Sequence, residues 1–127
     1  MDRSRWLAVA WTLLILVLCW TPRGSLPISE HAPSLLHQLH VDKFVHFGIF
    51  AVFAALWRRN GGRRATPLIA IAGIALAIRT ELGQETTIVN RDGDFWDGLA
   101  DSAGVFVGLV FAGYLARRKA GPAQSDA

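Results

Sequence analysis

Cysteine occurs once, at Cys19, which excludes a disulfide within the chain and any cysteine-based zinc cluster. No G-x-S-x-G or comparable nucleophile motif is present. Thr80, Thr86, Thr87 and Ser102, the hydroxyls nearest the acidic stretch described below, form no recognisable triad. His31, His37 and His40 lack the spacing of metal ligands and read as surface residues. There is no internal repeat and no low-complexity segment, so a solenoid or array is excluded. The net charge is +3 and the pI about 9.8. A basic balance can serve nucleic acid, but here the arginines stand in pairs beside apolar runs. That is the distribution of membrane-topology signals, and it argues against a nucleic-acid partner.

What is abundant is apolar sequence. Hydrophobic residues make up 52% of the 127, enough residues for one domain, and the mean hydropathy is +0.32. These residues are blocked into four runs, Trp6–Trp20, Phe44–Trp57, Ala65–Ile78 and Leu99–Ala116, the last interrupted only by Asp101. Each run is a little shorter than the ~20 residues that cross a hydrocarbon core, and polar flanks at the interface make up the difference. The pattern predicts an all-α, four-helix transmembrane bundle over residues 1–127, with helices at about 6–21, 42–57, 65–84 and 95–116. Arg3 and Arg5 before the first run suit a secretory signal, but no A-x-A site follows, and Leu18 occupies the small-residue position of a lipobox. An uncleaved membrane helix is the expectation.

Counting Lys and Arg sets the expected topology. Arg3, Arg5, Arg58, Arg59, Arg63, Arg64, Arg117, Arg118 and Lys119 fall on one side, against Arg23, Lys43, Arg79 and Arg91 on the other, together the 13 of the chain. Both termini and the loop RRNGGRR are therefore expected in the cytoplasm. Trp6 and Trp57 mark the inner interface, Trp20 and Trp96 the outer one, while Trp11 has no such reading. The Pro-containing segment 21–41 is expected outside, with SLLHQLH lying on the surface, and the tail AGPAQSDA is expected to be disordered.

This topology brings polar residues to one level. Asp42, Lys43 and His46 open the second helix, Glu81 and Gln84 close the third, and Asp97 and Asp101 open the fourth. Asp42 and His46 are i,i+4 and share a face. Ala70, Gly73, Ala77, Glu81 and Gln84 form one stripe, and Asp97, Asp101, Gly104 and Gly108 another. Small residues allow close helix approach, so the two stripes are expected to pack on each other, with their carboxylates turned inward. A lipid-facing charge would cost ~2.5–3.5 kcal/mol on the insertion scale. Asp94 suits the N-cap of the fourth helix and Asp97 its first turn. Glu81, at a helix C-terminus, needs a partner such as Arg91, Lys43 or His46. The carboxylates Glu81, Asp97 and Asp101 are candidates for a divalent cation, and His46 beside Asp42 for a base or a metal ligand. The alternative is a hydrogen-bonded network that locks the helices together.

The ordered set DKFVHF at 42–47, Glu81 and Gln84 as E-x-x-Q, Arg91, and Asp97 to Gly104 resembles the VanZ-like family of small membrane proteins over about residues 40–110. Asp101 stands where that family usually carries asparagine. The resemblance implies a bacterial cytoplasmic membrane and a link to glycopeptide (teicoplanin) resistance, without a biochemical mechanism. Three classes of function follow. One is a binding module for an envelope lipid or lipid-linked cell-wall precursor at the outer face, using Asp42, Lys43, His46, Glu81, Gln84, Arg91, Asp97 and Asp101. A second is an enzyme acting on a lipid head group. The third is an accessory subunit or small transporter, which four short helices could form only as a homo-oligomer or with a membrane partner.

Overall fold

A computed structural model describes residues 2–21, 41–84 and 95–120, without the side chains of 41, 42 and 84. The described residues form four long helices and no strand: α1 Arg3–Trp20, α2 Val41–Gly61, α3 Thr66–Gln84 and α4 Phe95–Ala120. A 3-10 turn at Arg63–Ala65 joins α2 to α3. Gly62 precedes it with φ 65°, a left-handed conformation that glycine adopts without strain. The helices differ from the expected ranges mainly at their polar ends, where basic residues continue the helical turns of α1, α2 and α4. The segment 22–40, Arg91, Asp94 and the tail from 121 lie outside the described residues.

Contacts between helices fix their directions. Ser4 of α1 is hydrogen-bonded through its hydroxyl to the Asn60 side chain of α2, and Asn60 Nδ2 donates to Ser4 O at 3.1 Å. Further along, Trp11 Nε1 donates to Ile49 O at 2.8 Å and Trp57 Nε1 to Thr12 Oγ1 at 3.1 Å. As α1 advances, its partners on α2 recede, so the two are antiparallel. Lys43 meets Asp97 and His46 meets Asp101, so α2 and α4 run parallel. The indole of Trp20 lies against Gly83, which sets α3 parallel to α1. Trp11 and Trp57 therefore tie α1 to α2, a role that interfacial tryptophan placement does not reveal.

The glycines correct the expected stripe packing. A Cβ built on Gly104 would strike the carbonyl oxygen of Phe47, and one on Gly108 that of Ala51, both on the α2 backbone. The small-residue stripe of α4 therefore sits on α2, not on α3. Gly73 of α3 does approach α4, where its Cβ would fall 2.7 Å from Val105 Cγ2, but it also borders Phe53 of α2 at 3.3 Å. Parallel α2–α4 pairing wins because it joins two gains. Glycine admits the close approach, and the same register sets Lys43 and His46 opposite Asp97 and Asp101.

The core consists of Ile15, Cys19, Phe50, Phe53, Ala54, Ile69, Ala77, Val105 and Leu109. Outside it the usual order is inverted. Leu7, Val17, Ile71, Ile78, Phe106 and Val110 are exposed, whereas His46, Thr80, Asp97 and Asp101 are buried. Large apolar residues outside and ionisable ones inside is the arrangement a lipid environment favours. Helices α1 and α4, and the stretch Arg63–Gly83 that includes most of α3, are long and apolar enough to cross a membrane. Helix α2 is not in that set, because Asp42, Lys43 and His46 begin it and Arg58, Arg59 and Asn60 end it. At ~1.5 Å per residue its 21 residues still measure ~31 Å, the thickness of a hydrocarbon core.

The two ends of the bundle differ in charge. The end that holds Ser4, Asn60 and Gly113 carries Arg3, Arg5, Arg58, Arg59, Arg63, Arg64, Arg117, Arg118 and Lys119. Arg58 reaches α4 there, and Arg118 lies 5.6 Å from the centre of the Tyr114 ring. The opposite end holds Trp20, Lys43, His46, Glu81 and the two aspartates of α4.

Candidate functional site

Three helix ends supply the polar cluster. Helix α4 enters with Asp97 in its first turn and Asp101 one turn deeper. Asp97 is favourably placed at the positive end of the helix dipole. Lys43 Nζ donates to Asp97 Oδ1 at 2.8 Å, with the lysine side chain 28% exposed and the aspartate 6%. This pair forms the rim. Below it, His46 Nδ1 lies 3.0 Å from Asp101 Oδ1, and both residues are buried.

The third contribution comes from α3. Glu81, half-buried near the helix end, lies alongside Gly98 of α4, where an added Cβ would stand 3.5 Å from Glu81 Cγ. Glu81 thus packs beside the first turn of α4 next to Asp97, a neighbourhood not visible in the stripe pattern. The result is a set of three ligand-type side chains, His46, Glu81 and Asp101. One potential ligand atom from each lies within 4.8 Å of the other two. Among the described residues no other set of His, Cys, Asp or Glu converges in this way.

The cluster regroups the residues singled out from sequence. It brings together Lys43, His46, Glu81, Asp97 and Asp101. It pairs His46 with Asp101 across helices, and it gives Asp97 to Lys43. Asp42 and Gln84 occupy the first and last turns of α2 and α3, but their side chains are not described, and Arg91 lies outside the described residues. The oxygen-only set Glu81, Asp97 and Asp101 is replaced geometrically by one in which His46 takes the place of Asp97. The spacing of Lys43 and His46, set beside that of Asp97 and Asp101, carried the information needed to see this, since two bases and two acids one turn apart match when their helices run parallel.

Thr80 is fully buried and donates to Ala77 O at 2.8 Å, while Ser102 donates to Gly98 O at 2.9 Å. Both hydroxyls are turned to carbonyls of their own helices. Thr86 and Thr87 lie outside the described residues.

No family model, curated protein or solved structure matches the chain. The chemistry of the cluster is therefore the basis for a functional reading. It offers an ammonium at the rim, an imidazole and a carboxylate in contact at depth, and a second carboxylate on a third helix. Such a set can hold a polar head group, share a proton or coordinate a cation.

Proposed function

We propose that the protein is a four-span membrane protein of the VanZ-like type in a bacterial cytoplasmic membrane, and that the polar end of its bundle binds the head group of an envelope lipid or lipid-linked cell-wall precursor. The observation that carries the reading is the convergence of ionisable side chains from three helices, with His46, Asp97 and Asp101 buried, in a bundle whose outer surface is apolar. Ionisable residues inside a membrane protein are costly, and a functional role is the default reading for them.

The charge distribution supports a cytoplasmic location for both termini and an outward-facing cluster. The nine basic residues of the opposite end, including those of the α2–α3 connection, follow the positive-inside rule. With four helices crossing, α2 becomes the central span, and its polar ends are directed to partners on α1 and α4. Lys43 at the rim supplies a cation for a phosphate or carboxylate of the head group, and the carboxylates supply acceptors for its hydroxyls or amines. The link to glycopeptide resistance belongs to this same reading, since binding a cell-wall precursor would alter its exposure to such a drug.

The test is native mass spectrometry of the full-length protein released from nanodiscs made with bacterial envelope lipids. A lipid or lipid-linked precursor should remain bound to the wild type and be lost in Lys43→Ala. Equal retention in both, or none in the wild type, refutes the reading.

A further inference from the structure

We propose that His46, Glu81 and Asp101 bind one divalent first-row metal ion, of the zinc or manganese class, between α2, α3 and α4. Each residue comes from a different helix, and the three present one ligand atom apiece within 4.8 Å of one another. His46 and Asp101 are 4% and 0% exposed, so two of the donors are held in place by surrounding packing. Facing side chains on the helices of a bundle are a recurrent way to build a metal centre.

The distances fit coordination. At metal–ligand lengths of ~2.1 Å, two ligands are ~3.0 Å apart at a right angle and ~3.4 Å apart in a tetrahedron. His46 Nδ1 and Asp101 Oδ1 are 3.0 Å apart. That separation alone would suit a hydrogen bond equally well. Glu81 makes the difference, because a third donor on a third helix closes a triangle around a common centre, and moves of under ~2 Å bring all three atoms to bonding distance. Two carboxylates held this close to each other and to an imidazole are also stabilised by a cation among them.

The donor types narrow the ion. Imidazole suits zinc, copper, iron and nickel, whereas carboxylates extend the range to manganese, magnesium and calcium. One nitrogen with two oxygens favours zinc or manganese over the purely oxygen-seeking ions. Three protein ligands leave at least one position open. An oxygen of a bound head group would take that position, a detail that rests on the function proposed above, whereas the ion itself does not.

The experiment uses the full-length protein in detergent micelles, stripped with EDTA and titrated calorimetrically with Zn²⁺ and with Mn²⁺ alone. One equivalent should bind, and adding the ion back should raise the melting temperature that EDTA lowered. His46→Gln and Glu81→Gln, which keep hydrogen-bonding capacity, should each weaken binding at least tenfold, while Asp2→Asn at the other end of the bundle should bind as the wild type does. No stoichiometric binding by the wild type, or wild-type binding by both glutamine variants, overturns the proposal. Should the variants fail to fold, Co²⁺ absorption of the wild type decides. Ligand-field bands of a low-symmetry N/O site support the proposal, and the spectrum of hydrated Co²⁺ overturns it. Head-group retention by EDTA-stripped protein that binds no metal would leave the proposed function standing while this site falls.

Discussion

His46 Nδ1 and Asp101 Oδ1 meet at 3.0 Å across the parallel pair α2 and α4, both residues buried. The contact joins helices separated in sequence by the whole of α3, so it acts as a register mark for the α2–α4 pair. Opposed polar groups at such depth favour one alignment, because sliding either helix by a turn would match only one base with one acid and leave the other two without a facing charge.

Removing one member of that pair should be costly. Asp101→Ala is expected to destabilise the protein by ~3–5 kcal/mol, the range for breaking a buried pair from one side. Asp101→Asn keeps a hydrogen-bond acceptor opposite the imidazole and should retain the fold. Reversible unfolding in mixed micelles compares the two, and equal stability of the alanine variant and the wild type would contradict the buried pairing.

Glycine substitutions separate close packing from mere helix composition. Gly108→Ala and Gly104→Ala place a Cβ against the α2 backbone, which cannot yield as a flexible side chain would. Each should lower stability by ~1–3 kcal/mol. Gly48→Ala meets nothing within 4 Å and should be neutral or gain up to ~1 kcal/mol through helix propensity. Melting temperatures in one detergent give the ranking, and Gly48→Ala as the most damaging of the three would contradict the α2–α4 interface.

At the rim, Lys43 and Asp97 are close enough to couple. A double-mutant cycle with Lys43→Met and Asp97→Asn should give an interaction of about 1 kcal/mol that shrinks as salt rises, because the lysine remains 28% exposed. Coupling near zero at low ionic strength would show that the contact contributes little in the membrane.

Orientation can be read by labelling. In a Cys19→Ala background, a cysteine at Leu26 should react with an impermeant reagent added outside intact cells, and one at Arg63 only after the membrane is opened. The reverse pattern would invert the topology and place the polar cluster at the cytoplasmic face.

The tie between α1 and α2 makes a further expectation. Trp11→Phe removes the donor to Ile49 O while keeping most of the ring, and should cost ~0.5–1.5 kcal/mol in the same unfolding assay. No change would mean that the ring, not the hydrogen bond, holds α1.

Much of this arrangement is legible in the chain itself. Apolar runs without charge allow little but helix where lipid surrounds the backbone, because each peptide group must then find its partner within its own segment. Runs bounded by Arg58 and Arg59, Arg63 and Arg64, and Arg117 to Lys119 also mark one end of the bundle, and Asp42, Lys43, His46, Glu81, Asp97 and Asp101 mark the other. Local hydropathy and charge suffice for both. Neighbours are another matter. A stripe such as Gly104 and Gly108 states that some helix comes close, not which one, and Gly73 offered an equally good surface. Only the tertiary structure assigned α2 to that stripe. It thereby gave Asp97 to Lys43 and Asp101 to His46, and set Glu81 beside Gly98. The physical reason is that helix pairing is a property of two surfaces at once. Close backbone approach and matched charge reinforce each other in the parallel α2–α4 register, and neither can be evaluated along one segment alone.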